Sequence, residues 1–213
     1  MPAFQDKLPQ PKTGISFQLH SAGEETVSGP RGDVFLTLTD AETGEVVQQV
    51  EKRNIITRDA GILAAILFKN SAARDGLNML AVGTGATGNI LSPDAPDNRQ
   101  RKLNTPLFRK AFSSTTFRTT GGVAVAYPTN IVDFTTTFAA GEANGPLNEM
   151  GLVSAINIAG PALPNNNGGL PAPPNYDPTV DVTNLDILAN YLSFPVVSKT
   201  PATVLTITWR LTF

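Results

Sequence analysis

Tyr127–Gly160 reads YPTNIVDFTTTFAAGEANGPLNEMGLVSAINIAG. Two apolar runs flank a turn cluster, Gly141-Glu142-Ala143-Asn144-Gly145-Pro146. In the first run Val132, Phe134, Thr136 and Phe138 fall on one face, and Asp133, Thr135 and Thr137 on the other. A period of two marks a half-buried strand. The second run, Met150 to Ile156, is short, apolar and bounded by turn residues, which also suits a strand. The expected arrangement is an antiparallel pair, joined by a loop too long for a tight two-residue hairpin. The rest of the chain must then supply a sheet sandwich around that pair.

The 213 residues suffice for one all-β domain with insertions or two small domains. Charged residues are 16% of the chain, against about 25% in soluble domains, so the surface must rely on Ser, Thr, Asn and backbone polarity. Gly (18) and Pro (17) together make about one residue in six, against roughly one in eight on average, which favours many turns and few long helices. The net charge is −2 and no run of about five like charges occurs, so neither nucleic acid nor an anionic membrane is an expected partner. The lack of cysteine excludes disulfides, thiolate metal sites and thiol nucleophiles. The N-terminus has no apolar core behind basic residues, and no segment approaches the roughly 20 apolar residues of a membrane span. A soluble chain without processing is expected.

Residues 1–32 read as an extended arm, with Pro2, Pro9, Pro11 and Pro30 fixing φ and removing donors. Phe4, Leu8, Ile15, Phe17 and Leu19 lie along it. A solvated linker needs none of these, so the arm is either one edge strand with a frayed tail or a segment that lies on a neighbouring subunit. Residues 33–213 read as a single domain with a long Pro/Asn/Gly-rich insertion at 157–186. Val34–Thr39 and Val46–Val50 predict a hairpin, with Gly44 at a position suited to φ > 0. One helix is predicted over 58–69, with Thr57 as N-cap, Asp59 in the first turn and Asn70 as left-handed cap. Its apolar face carries Ile62, Leu63, Ile66 and Leu67. Further strands are expected at Leu77–Val82, Arg109–Arg118, Val123–Tyr127, Ile187–Val197 and Thr203–Leu211, the last two joined by a turn at Lys199-Thr200-Pro201. Residues Asn89–Thr105 read as a solvated polar loop, with Arg99, Arg101 and Lys102 balanced by Asp94 and Asp97. No C-terminal shaft or further domain is expected after the closing strand. The predicted fold is a mainly β, jelly-roll-like antiparallel sandwich with one short helix and an N-terminal arm.

The catalytic vocabulary is sparse. His20 is the only histidine and lies in the arm. Carboxylates occur singly: Asp133, Glu142, Glu149, Asp177, Asp181 and Asp186. The span Asp177–Asp186 lacks calcium-loop spacing. Gly83-Thr84-Gly85-Ala86-Thr87-Gly88 lacks the Lys-Ser/Thr ending of a phosphate loop, so a structural turn is expected there. Arg31-Gly32-Asp33 matches an integrin-binding tripeptide, but a turn is the simpler reading. Glu149, among apolar neighbours, is expected to be a structural anchor that needs hydrogen-bond partners. Trp209 shares its face with Ile207 and Leu211 and is expected in the core. No catalytic residue, metal or cofactor is expected.

The order of segments carries a further signal. NIITRDAGILAAILF, MLAVGTGATG, LNTPLFRKAF, TNIVDFTTTF, EANGPLNEMGLVSA and LSFPVVSKTPATVLTITWRLTF together resemble the bacteriophage tail-collar or tail-fibre attachment domain. Leu80–Gly85, Leu103–Arg109, Glu149–Leu152 and Pro195–Lys199 carry the match, which covers roughly residues 54–213. The resemblance implies a non-enzymatic structural protein of a bacteriophage virion, located in the virion after assembly in the bacterial host cytoplasm. Tail, collar, baseplate or appendage attachment are the implied locations. Beyond the family pattern the chain adds an N-terminal hairpin and arm, which also suit a capsid decoration (cement) protein clamping capsomers. A host-glycan-binding module is a third reading, weakened by 7% aromatic content and a single Trp. Expected partners are other virion proteins, whether tail, neck or major capsid protein, and further copies of the chain, a trimer being favoured. In these contacts the arm residues Phe4, Leu8, Ile15, Phe17 and Leu19 would bind the neighbour.

Overall fold

A computed structural model of the chain describes residues 30–70, 74–156, 170–182 and 184–213. The N-terminal hairpin forms as expected, from β1 (Arg31–Asp40) and β2 (Val46–Ile56). In its turn the Asp40 carboxylate accepts the backbone N–H groups of Thr43 at 2.8 Å and Glu42 at 3.0 Å, and these bonds hold its pKa below the usual carboxylate range. Gly44 supplies the left-handed conformation at φ +72°. Both strands are longer than expected. β1 starts at Arg31, inside the region read as arm, so Arg31-Gly32-Asp33 is strand and not turn. Its residues pair with Thr212, Leu211 and Arg210 on one side, and Gly32 and Asp33 pair with Asn54 and Arg53 on the other. Residues 1–29 of the arm, with its five apolar residues, lie outside the described residues, as do 157–169 and 183 of the long insertion.

After α1 (Arg58–Phe68) come β3 (Met79–Gly83), β4 (Gly88–Asn89), β5 (Ser92–Pro93), β6 (Pro106–Ala111), β7 (Ser114–Arg118) and β8 (Ala124–Val125). β9 (Ile131–Phe138), β10 (Gly145–Ser154), β11 (Ile187–Lys199) and β12 (Thr203–Thr212) complete the described chain. Ten strands join in one antiparallel sheet, ordered β6-β3-β10-β11-β2-β1-β12-β9-β7-β8. β2 pairs with β1 along its length but with β11 only at Ile55 and Ile56. At this narrow join the sheet divides into two halves that share one core, a sandwich-like arrangement. Val34, Leu36 and Leu38 of β1, Phe134 and Phe138 of β9, and Ile207 and Trp209 of β12 meet Leu80 and Val82 of β3, Leu147, Met150 and Leu152 of β10, and Phe194 of β11.

The expected pairing of the two central strands is wrong. β9 lies between β12 and β7, whereas β10 lies between β11 and β3. The chain crosses from one half to the other through Ala139–Asn144. β11 and β12 make a second crossing, and the stretch read as one strand at Arg109–Arg118 makes a third. It is two strands, β6 at one edge of the sheet and β7 next to the other edge. The strand expected at Val123–Tyr127 shrinks to β8. The burial patterns give the physical reason for the separation of β9 and β10. β12 and the second half of β9 alternate between core and outer face, while β10 is buried almost throughout. One side of β10 faces the shared core. The other is covered by a second cluster, in which Val153 meets Met79, Ala81, Leu103, Leu188 and Tyr191. A strand covered on both faces reads as a continuous apolar run, and a strand with one wet face alternates.

The outer face of the first half shows how a chain with few charges uses them. Arg53, Asp33, Arg210 and Asp133 are successive cross-strand neighbours on β2, β1, β12 and β9. Arg210 bonds Asp133 at 2.7 and 2.9 Å, and Arg118 of β7 bonds it at 2.9 Å. Opposite charges on neighbouring strands favour this register. Beside them Thr135 faces Thr208, and Thr137 faces Thr206, each at 3.2 Å.

α1 packs on β11 through Leu63, with Ile187, Ala189, Leu170 and Val182 around it. Asn70 takes the left-handed conformation at φ 54°. Thr57 has the extended backbone of an N-cap, but its hydroxyl does not cap the helix. It donates instead to the carbonyl of Leu188 at 2.6 Å, tying the helix start to β11. The loop Asn89–Thr105 also departs from expectation. It is not simply solvated, because Arg101 is fully buried against Asp59.

Candidate functional site

β10 places Glu149 opposite Gly83 of β3 and Ser193 of β11, and its carboxylate is wholly buried. Oε1 accepts the backbone N–H of Gly85 at 3.0 Å and of Thr105 at 2.8 Å. Oε2 accepts the N–H of Asn104 at 3.0 Å and the Tyr191 hydroxyl at 3.0 Å. Next to it Asn148 Oδ1 accepts the N–H of Ala86 at 3.0 Å. Four donors around one carboxylate supply what a buried charge requires. Burial, and then the adjacent Glu149 charge, push the Tyr191 phenol far up, so it remains a donor across the ordinary pH range. Glu149 therefore holds the loops at 83–86 and 104–105, not the 141–146 turn that precedes it in sequence.

This geometry also accounts for the glycine run. Backbone N–H groups that would cradle a phosphate in a nucleotide loop are here taken by the protein's own Glu149 and Asn148. A Cβ on Gly83 would lie 2.5 Å from the Thr105 carbonyl oxygen and 2.6 Å from Glu149 Oε1. Gly83→Ala should destabilise the fold by about 1–3 kcal/mol, as overpacking does. Gly61, inside α1, has nothing within 4 Å of a built Cβ, so Gly61→Ala should stabilise by about 0.5–1 kcal/mol. Urea unfolding of the two variants should show shifts of opposite sign.

Three segments distant in sequence meet at this corner, Gly83–Gly85, Asn104–Thr105 and Glu149, and four residues earlier on β10 the β10–β11 register sets Gly145 opposite Lys199. The Lys199 ammonium is itself buried. It donates to the carbonyls of Ala139 at 3.1 Å and Thr200 at 3.0 Å, and also to that of Thr203. One lysine thus ties the β9–β10 crossing to the β11–β12 crossing. Burial lowers its pKa, against the pull of Glu142. Glu142 bonds Lys110 and accepts the Ala139 N–H at 2.9 Å. Burial works to raise its pKa, but Lys110 and that N–H outweigh it and leave it lowered. A depressed carboxylate adds stability above the ordinary glutamate range, about pH 4.3, and loses it as pH falls through the lower folded value. Glu142→Gln should flatten this part of the acid limb of a pH–stability curve measured by urea unfolding.

The carboxylates near the long insertion act in the same structural way. Asp59 and Arg101 pair at 2.6 Å with no exposure of either side chain. Arg101 also donates to the Asp177 carbonyl at 2.7 Å and stacks over the Tyr176 ring at 5.1 Å. Asp186 pairs with buried Arg109 and accepts the Ile156 N–H at 3.0 Å. Arg74 donates to the carbonyls of Ser154 at 3.1 Å and Leu185 at 2.6 Å. Asp177 turns onto Thr179, and Asp181 is exposed. Among the described residues, no three carboxylate or imidazole groups converge as a metal site. These anchors were not singled out from the sequence. The available signal was scarcity: where charges are few, one set beside apolar residues, as Asp59 and Asp186 are, belongs inside.

Two concavities flank these anchors. A cleft of about 420 Å³ is lined by Thr87, Asp94, Asp97, Gln100, Asn104 and Ser193. Its polar groups are engaged locally, Asp97 with Arg99 and Gln100 with Asn104. Ser193 donates to the Asp94 carbonyl at 2.7 Å, and His20 lies outside the described residues. An apolar groove of about 500 Å³ runs beside α1. Trp209 lies at the centre of the shared core, without exposure. Compared with known proteins, the chain matches no family model and no curated protein.

Proposed function

We propose that the chain is a non-enzymatic structural protein of a bacteriophage virion, serving in the tail, collar, baseplate or appendage attachment. The observation that carries this reading is that three of the four resemblance segments meet at Glu149, while the fourth, Pro195–Lys199, pairs with the start of the same strand at Gly145–Leu147. Leu80–Gly85, Leu103–Arg109, Glu149–Leu152 and Pro195–Lys199 are scattered in sequence, yet they are joined by one buried carboxylate and one strand register. A shared local device is what a common domain pattern would preserve. The ionisable groups described above hold loops and crossings in fixed positions, which suits a part that transmits contacts between neighbours. In this reading the chain works as a homo-oligomer, a trimer being favoured, and the N-terminal arm reaches a neighbouring subunit or another virion protein.

The test is to purify particles by density gradient and probe them with an antibody against this chain. Co-sedimentation, with gold label at the tail or neck, is the expected result. Label over the capsid surface would favour the decoration-protein reading instead. A chain that remains wholly in the unassembled fraction would remove both.

A further inference from the structure

At the narrow join each half of the sheet presents an inner edge, and the two edges are treated differently. Past Asn190 and Tyr191, β11 is covered by the β4–β5 hairpin. Val196 N–H donates to the Ile90 carbonyl at 3.0 Å, and the Ser193 hydroxyl to the Asp94 carbonyl at 2.7 Å. β2 has no such cover. Thr57 N–H donates across the join to the Ala189 carbonyl at 2.9 Å, and the backbone groups of an antiparallel strand aim alternately to its two sides. Ile55 therefore shares this side with Thr57, and so do Arg53, Glu51 and Gln49. Among the described residues, no strand pairs with β2 on this side before Ile55, and no loop backbone bonds Gln49, Glu51 or Arg53 there. A long unpaired edge is a template for another strand.

The side chains indicate what that strand carries. On the outer face Arg118, Asp133, Arg210, Asp33 and Arg53 form one row, in which charge alternates from strand to strand. Asp133 is held by arginines on both sides. Arg53, at the end of the row, has only Asp33, at 3.7 Å, and its side chain is 83% exposed. The row thus stops on a cation at the open edge, and the next member of its alternation is a carboxylate. Lys52 beside it is exposed as well. A cleft of about 270 Å³ separates Lys52 and Arg53 from a wall of Leu91, Asp94, Leu192 and Pro195, so the edge is reachable where Arg53 stands. Exposed Val46 and Val47 give its far end apolar surface.

We propose that the open edge of β2 receives an extended segment of a partner protein as an added strand, with an aspartate or glutamate of that segment paired with Arg53. In strand addition the main chain supplies affinity and the side chains supply specificity. Here Gln49, Glu51 and Arg53 offer the backbone groups. The carboxylate opposite Arg53 fixes the register, as opposite charges do across neighbouring strands. The inference stands on the edge and the charge row alone, apart from the virion reading.

The test uses the full chain and a short synthetic strand that alternates valine with threonine and carries one central aspartate. Amide hydrogen exchange, followed residue by residue by nuclear magnetic resonance, reads the contact. Saturating strand should slow exchange at Gln49, Glu51 and Arg53 at least about tenfold, as newly formed backbone bonds do. Replacing the aspartate with lysine should weaken binding about fivefold, because an opposite charge across the pair becomes a like one. Arg53→Glu should reverse that preference. Arg53 is exposed, so the substitution leaves the core intact, and circular dichroism checks the fold. Unchanged exchange at the three amides, or slowing at the β6 edge instead, would overturn the proposal. So would equal binding of the aspartate and lysine strands to the parent chain. Amides already protected in the chain alone would also overturn it, since the edge would then be filled by the chain's own residues or by a second copy.

Discussion

Glu149→Ala should cost the fold on the order of 4 kcal/mol and abolish a well-defined conformation at residues 83–86 and 104–105. The substitution strips an acceptor from the N–H groups of Gly85, Asn104 and Thr105 and from the Tyr191 hydroxyl. Hydrogen bonds to a charged group are worth about 1.5–3 kcal/mol each, and a donor left without its partner costs about 1–3 kcal/mol. The amides are partly buried, and contributions within one network do not add, which brings the expected sum below four full bonds. Set against a typical domain stability of about 5–15 kcal/mol, the loss is large. Glu149→Gln should fall between, because one oxygen remains while an NH₂ group now faces N–H donors. Urea unfolding followed by circular dichroism reads both. A loss below about 1 kcal/mol for Glu149→Ala, the scale of ordinary surface changes, would show that the carboxylate is not what holds these loops.

Trp209→Ala is expected to cost about 3–5 kcal/mol, as large-to-small changes of buried aromatic residues do. Trp209 has no exposure and packs in one cluster with Leu36, Phe134 and Phe194 from both halves of the sheet. A void there removes contacts from both layers at once. Trp209→Phe should recover much of the loss. It would also remove the indole N–H, which has no hydrogen-bond partner among the described residues. An alanine variant that melts within the error of the parent would place Trp209 outside the stabilising core.

Trp209 was legible because β12 alternates strictly: Leu205, Ile207, Trp209 and Leu211 are inside, while Thr206, Thr208 and Arg210 face outward. The β1–β2 turn and the helix were legible for similar local reasons, through Gly44, Asn70 and the apolar run after Asp59. The partners of the strands were not. Proximity in sequence suggested pairing β9 with β10, but the contrast between an alternating run and a nearly continuous apolar run already pointed to different environments. Arg31-Gly32-Asp33 looked like a turn because proline and glycine stand beside it, and tertiary pairing on both sides overrides that local signal. Arg101 read as part of a solvated loop, Arg109 as the start of a strand and Lys199 as a turn residue, and their burial was not legible because their partners, Asp59, Asp186 and the carbonyls of two crossings, are distant in sequence. Glu149 stood out by its apolar neighbours, yet the loops it binds follow only from the register that sets β3 beside β10.

The proposed virion role joins that corner to the resemblance of the segments that build it. Cryo-electron microscopy of intact particles tests it most directly. The expected reconstruction contains the two-halved sandwich as symmetric copies in the tail, neck, baseplate or capsid surface, with density from residues 1–29 continuing onto an adjacent copy or another virion protein. A complete reconstruction in which every density is assigned and none fits the sandwich would contradict the role.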